Sequence, residues 1–185
     1  MLGRKSILSE LKKGTIVIEP FNIKQLGPNS YDVRLGESIF RTKERNHKVI
    51  PYIDITKESI WNPIEEKNIK YICLSPEEYI LASTQEIIGA KTKFSTLLKS
   101  RSTIARQGLQ VCASAGFGDV GYANIWTLEI KNDSGHYLAI PIGIRIAQVS
   151  FYKIDGEDGT YEGAYKQQIK WDSSQMLPKL GPERF

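Results

Sequence analysis

Two cysteines and two histidines are all that this 185-residue chain offers of the residues that build most metal and redox centres. Cys73 and Cys112 both stand among apolar neighbours in sequence, so neither a disulfide framework nor a cysteine-rich zinc site is expected. Reduced thiols and a cytoplasmic setting follow. His47 and His136 lie in polar loop contexts, and no His-x-Glu is paired with a Pro-Cys-x-x-Cys, so the zinc-deaminase donor set is absent. Ser102 has no histidine close in sequence, which disfavours a Ser-His-Asp triad. Long apolar runs are missing too. The most apolar stretch, Tyr137 to Phe151, is broken by Pro141, Gly143, Arg145 and Gln148, and the first residues carry no signal-peptide core, so no membrane association is expected. Charge of one sign is also scarce: 25 basic against 21 acidic residues leaves +4, too mild and dispersed for a nucleic-acid binder but suited to a small polyanion.

What is present is enough for one globular unit, since 41% of the residues are hydrophobic. Ser6 can cap a short helix whose Ile7, Leu8 and Leu11 share a face, with Gly14 as its stop. Strand signals dominate beyond it. Short segments rich in β-branched and aromatic residues, bounded by Gly, Pro, Asn or Ser, recur at Thr15–Ile18, Ser30–Leu35, Lys70–Leu74, Tyr79–Ser83, Leu109–Ala113, Asn124–Lys131 and Arg145–Tyr152. They predict a mainly β barrel or sandwich with few helices. The charged stretch from Lys43 to Lys70 reads as a surface excursion. After Asp155 the aliphatic residues thin out, which predicts a domain over residues 1–154 and a flexible tail over 155–185.

Chemistry concentrates between residues 99 and 130. Ser102 is a candidate N-cap for one or two helical turns ending at Gly108, with Lys99, Arg101 and Arg106 around it and the hydroxyls of Ser102 and Thr103 as further donors. This fits a di- or triphosphate, and equally an ordinary capped turn. In Asn124–Lys131 the two-residue period puts Trp126, Leu128 and Ile130 on one face and Ile125, Thr127 and Glu129 on the other. Glu129 is thus either a solvated strand residue or, in a pocket beside the turn, a proton carrier. Asp119 sits in a glycine-rich turn, Ala115-Gly-Phe-Gly-Asp-Val-Gly121, where backbone can approach a ligand closely.

Five ordered segments together resemble the dCTP deaminase branch of the dUTPase superfamily: Gly27-Pro-Asn-Ser-Tyr-Asp-Val-Arg-Leu-Gly36, Arg101-Ser-Thr-Ile-Ala-Arg-Gln-Gly-Leu109, Thr127-Leu-Glu129, Gly143-Ile-Arg-Ile-Ala-Gln148 and Tyr161-Glu-Gly-Ala-Tyr-Lys-Gln-Gln168. The resemblance implies a distorted β-barrel of the dUTPase-like (beta-clip) type, assembled as a homotrimer with sites at subunit interfaces and the tail closing over the nucleotide. It implies magnesium carried by the triphosphate, no zinc and no nucleic-acid partner. It makes Glu129 the general base and acid at cytosine C4, with Ser102 and Arg106 placing water, base or phosphates. Arg101 and Thr103 would hold the triphosphate, Thr127 and Leu128 the base, and Asp119 the 3′-hydroxyl, with Gln148, Tyr161, Lys166 and Gln168 completing the contacts.

Glu129 separates deaminases from the dUTPases of the superfamily. Ser114-Ala-Gly-Phe-Gly-Asp119 is similar to the members that carry dCTP through to dUMP, in which Asp119 would also orient a water at the α-phosphate. A deaminase that stops at dUTP, a dUTPase-like pyrophosphatase and a non-catalytic nucleotide sensor are the alternatives. Two departures stand out: Gly118 replaces a usual isoleucine, which would loosen the turn, and Ala164 replaces a lysine of the tail.

Overall fold

The structure is a computed structural model that describes residues 1–43, 52–112, 114–156, 159–166 and 172–179. Ten strands form its framework: β1 (Ile16–Glu19), β2 (Tyr31–Arg41), β3 (Tyr71–Leu74), β4 (Tyr79–Ala90), β5 (Phe94–Ser100), β6 (Leu109–Val111), β7 (Phe117–Gly118), β8 (Ala123–Asn132), β9 (Leu138–Pro141) and β10 (Arg145–Lys153). Helices α1 (Arg4–Lys13) and α2 (Ser102–Ala105) and two 3-10 turns complete it. The fold is mainly β, as the spacing of apolar segments predicts.

Eight strands form one antiparallel sheet in the order β6-β8-β4-β2-β10-β5-β7, with β1 added to β4, while β3 and β9 pair separately. The sheet curls until its ends approach. There the seam is stitched by a side chain: the Ser100 hydroxyl accepts from the Val111 amide at 2.9 Å and donates to the Val111 carbonyl at 3.1 Å, tying β5 to β6. Inside lie Tyr31, Val33, Leu35, Leu98, Leu128, Ile130, Val149 and Phe151, all fully buried at alternate strand positions. Helix α1 covers one side with Ile7, and Leu8 and Leu11 pack beside it. It starts earlier than expected: Gly3 is the N-cap and Ser6 lies inside the helix, while Gly14 is the stop.

Strands β2 and β4 run further than their apolar patterns suggest, to Arg41 and Ala90. Both are interrupted by register shifts, between Leu35 and Ile39 and between Ser83 and Ile87. The irregularity turns Glu86 inward, where it is fully buried. Its carboxylate takes Arg34 N at 2.8 Å, Arg34 Nε at 2.6 Å and Gln25 Nε2 at 3.0 Å, so the buried charge is paired and fully hydrogen-bonded.

The described part of the excursion returns to the barrel through bridges Thr42↔Trp61 and Ile39↔Glu66. Trp61 joins Phe40, Leu81 and Met176 in a small second core. Met176 comes from a 3-10 turn over Ser173–Met176, anchored by Ser173 Oγ donating to Glu65 at 2.5 Å. Cys73 differs from its sequence reading: it is exposed on β3, whereas Cys112 is buried. Among the described residues no helix is long and apolar enough to cross a membrane.

Replacing Glu86 with leucine keeps volume but leaves Arg34 without its partner. The expected loss is about 3 kcal/mol of unfolding free energy, at the lower end for a broken buried pair because Arg34 is partly solvated. Urea titration followed by circular dichroism checks it.

Candidate functional site

Strand β8 carries the candidate carboxylate Glu129, and its partner holds it in register: Leu81↔Glu129, Ala82↔Leu128 and Ser83↔Thr127 on β4. Leu128 and Ile130 are fully buried, and Thr127 and Glu129, half-buried, face out on the opposite side. Leu128 is therefore corrected in one respect. Its side chain belongs to the core, so only its backbone can reach a base.

The outward face opens into a cleft of about 460 Å³ whose lining includes Asp119, Thr127, Glu129 and Tyr161, a size suited to a nucleotide-scale ligand. One wall is aromatic. Trp61 and Tyr79 have ring centroids 5.2 Å apart, and Tyr122 stands edge-on to both Trp126 (5.2 Å) and Tyr161 (5.5 Å). Glu129 Oε2 lies 3.4 Å from Ser114 Oγ and from the Ala115 amide, long contacts from two donors. Burial pushes the Tyr79 hydroxyl above its usual range, and the nearby Glu129 charge adds to it. The Cys112 thiol is pushed up to about 12, first by burial and then by Glu129, so it is an inert packing group rather than a nucleophile. Burial likewise raises Tyr122.

Asp119 is exposed at the cleft edge, in a turn firmer than expected. Gly118 is buried in β7 and pairs with Thr96 of β5. A Cβ there would collide with Thr96 Oγ1 and come within 2.7 Å of the Trp126 ring. The expected loosening is replaced by close packing: Trp126, whose Nε1 donates to the Ile88 carbonyl at 2.8 Å, occupies the space a side chain at 118 would need. The tail reaches the same turn, with the Tyr161 amide donating to the Val120 carbonyl at 2.7 Å.

The cationic turn is elsewhere. Helix α2 is one turn long, its N-cap is Arg101 with no side-chain cap bond, and Ser102 is its first residue rather than its cap. It ends earlier than expected, at Ala105 with Arg106 as its C-cap, and Gly108, at φ 77°, stands two residues beyond that cap. Its dipole is too short to carry an anion, so the side chains must. Ser102, Thr103 and Arg106 are exposed and Arg101 is half-buried. Gln148 of β10 is exposed, opposite Asp32 on β2 and Lys99 on β5. None of these residues lines the cleft of Glu129. Lys166 is exposed and paired with Glu162 at 2.5 Å, and it too is outside the cleft lining; Gln168 and His47 fall outside the described residues.

The described residues of one chain thus present two separate features, a carboxylate cleft and a cationic face. Sequence reasoning found members of both but missed Trp61, Tyr79 and Met176 as cleft walls. Trp126 and Tyr122 carried a usable signal, as aromatics within seven residues of Asp119.

The family model described as dCTP deaminase-like matches residues 1–154. A dCTP deaminase, dUMP-forming, from Methanosphaerula palustris is 28% identical over 170 residues, 92% of this chain and 89% of that protein. Its counterparts from Dictyoglomus thermophilum and a Hydrogenobaculum species are 34% and 33% identical, covering 83% and 84% of this chain and 80% and 83% of theirs. The solved structure of 2′-deoxycytidine 5′-triphosphate deaminase from Agrobacterium tumefaciens aligns with a TM-score of 0.61 at 16% identity, over 81% of this chain and 46% of that one, a likeness of fold.

Gly118→Ile is expected to displace the Trp126 ring and cost about 1–3 kcal/mol through overpacking. Thermal unfolding and the tryptophan emission maximum read the two effects separately.

Proposed function

The chain belongs to the dCTP deaminase-like family, and on that premise we propose that it converts dCTP to dUMP, releasing ammonia and pyrophosphate. The observation that carries this reading is Glu129: a half-buried carboxylate in an aromatic-walled cleft, with Asp119 and Thr127 beside it and no ion pair to it among the described residues. A carboxylate so placed accepts and returns protons without first breaking a salt bridge.

In the proposed reaction Glu129 takes a proton from water as its oxygen bonds to cytosine C4, and passes that proton to N3. The tetrahedral carbon then loses its amino group as ammonia, with Glu129 moving the second proton, and uracil remains. A second water, oriented by Asp119, attacks the α-phosphate. The bond to the bridging oxygen breaks and pyrophosphate leaves. Two waters are consumed per dCTP. The scheme assigns no step to zinc, and proton transfer at C4 falls to Glu129. Magnesium would arrive on the triphosphate, which supplies its ligands and whose charge it offsets. Thr127 and the Leu128 backbone would hold the base, and Arg101, Ser102, Thr103, Arg106 and Gln148 the phosphates, with Tyr161, Lys166 and Gln168 contributed by the tail.

Because the two features of one chain do not share a cleft, we propose a cytoplasmic homotrimer in which the turn of one copy faces the cleft of another. This explains why Arg101 and Arg106 stand outside the cleft that holds Glu129.

Incubation with dCTP and magnesium, with products resolved chromatographically, is expected to yield dUMP and pyrophosphate in equal amounts; dUTP accumulating alone would overturn the second step. Glu129→Gln should retain nucleotide binding within about threefold and lose at least about 100-fold in turnover, the usual scale of a removed general base. Inactive Glu129→Gln and inactive Arg106→Ala copies, mixed and reassembled, should regain activity. Failure to do so would place the whole site within one chain.

A further inference from the structure

Two arginines far apart in sequence converge on one carboxylate at the cationic face. Asp32 Oδ2 lies 3.1 Å from Arg101 Nε and 3.3 Å from Arg145 Nη1. Arg101 Nη1 also donates to the Arg145 backbone carbonyl at 3.2 Å, so the start of α2 and the start of β10 are tied together. The carboxylate sits lowest: the Asp32 side chain is 16% exposed, that of Arg101 28% and that of Arg145 46%. Each guanidinium therefore keeps donors free above the ion pair.

The backbone that carries the carboxylate is fixed from below. The Asp32 carbonyl accepts from Gln25 Nε2 at 2.7 Å, and the same amide donates to buried Glu86, which also holds Arg34. Across the sheet, Asp32, Gln148 and Lys99 occupy directly opposite positions on β2, β10 and β5, so their side chains share one face. Lys99, Arg101 and Arg145 against Asp32 leave a surplus of two positive charges, which suits a polyphosphate. An isolated surface pair would do little. Two cations sharing one anchored carboxylate differ, because neither charge is neutralised while both forks are held in place, and bidentate phosphate recognition depends on that orientation.

We infer that Asp32 is a positioning residue: its carboxylate aligns Arg101 and Arg145 as a pair of forks for the polyphosphate of the nucleotide, which makes Arg145 a third phosphate-facing arginine beside Arg101 and Arg106. The inference rests on the reading that the chain takes a triphosphate nucleotide. Asp32 acts through the two arginines and does not touch the reacting atoms.

The test combines calorimetric binding of inorganic tripolyphosphate with steady-state kinetics on dCTP, using the full-length protein. Asp32→Asn, with unchanged circular dichroism, is expected to weaken tripolyphosphate binding about tenfold and raise KM for dCTP similarly, with kcat little changed, as misoriented binding groups do. Asp32→Glu keeps the carboxylate and should restore much of the loss. Arg145→Gln, at an exposed site, should weaken tripolyphosphate on its own, and the double variant with Asp32→Asn should be less than additive. The inference is overturned if wild type does not bind tripolyphosphate, if Asp32→Asn binds as tightly or more tightly, if Arg145→Gln binds normally, or if the loss falls on kcat alone. Asp32-dependent binding of tripolyphosphate without any turnover of dCTP would sink the proposed function and uphold the alignment of the arginines.

Discussion

A slip of one residue between β8 and β4 would exchange Leu128 for Glu129, sending the Glu129 carboxylate into the core and a leucine into the cleft. The register that prevents this is set by packing: Leu128 and Ile130 are buried beside Ile80 and Ala82 of β4, while Thr127 and Glu129 look outward. The same strand thus supplies hydrophobic burial and chemistry, and the first makes the second rigid. Where the ladder breaks, past Ser83, the chain uses the break. Thr84 Oγ1 accepts the Trp126 amide at 2.9 Å, and Glu86 turns in to hold β2 through Arg34. The irregular stretch therefore supports the aromatic wall on one side and the Asp32 strand on the other.

The carboxylates of the cleft and the arginines of the cationic face are kept apart. Among the described residues neither Glu129 nor Asp119 is ion-paired with Arg101, Arg106 or Arg145; the first and last of these are instead occupied by Asp32. A glutamate locked to an arginine would have to break that pair before accepting a proton. In the proposed trimer the nucleotide, with its base at one end and its phosphates at the other, would bring the two halves into one reaction.

The alternation of β8 and the cationic turn were legible because each is local: a period of two in one case, adjacent donors in the other. The strands that escaped notice lack such patterns. Strand β5 reads Phe-Ser-Thr-Leu-Leu-Lys-Ser with two leucines in succession, β7 is two residues including a glycine, and β9 ends in Pro141. The N-cap was misassigned because Ser102 has the right chemistry one position too late. Cys73 lies in an apolar segment, yet on a two-stranded ribbon whose alternate side chains face solvent. Asp32 stood in a recognised motif, but its partner Arg145 is 113 positions away, and nothing local signals that pairing.

Gly118 and Trp126 occupy what is physically a single volume, divided between a residue with no side chain and one with the largest. Such a pair moves through sequence space as a unit. An aliphatic residue at 118 requires a smaller ring or none at 126, and each single step passes through either a clash or a void. A change at either position is therefore felt first at the other, across the sheet rather than along the chain.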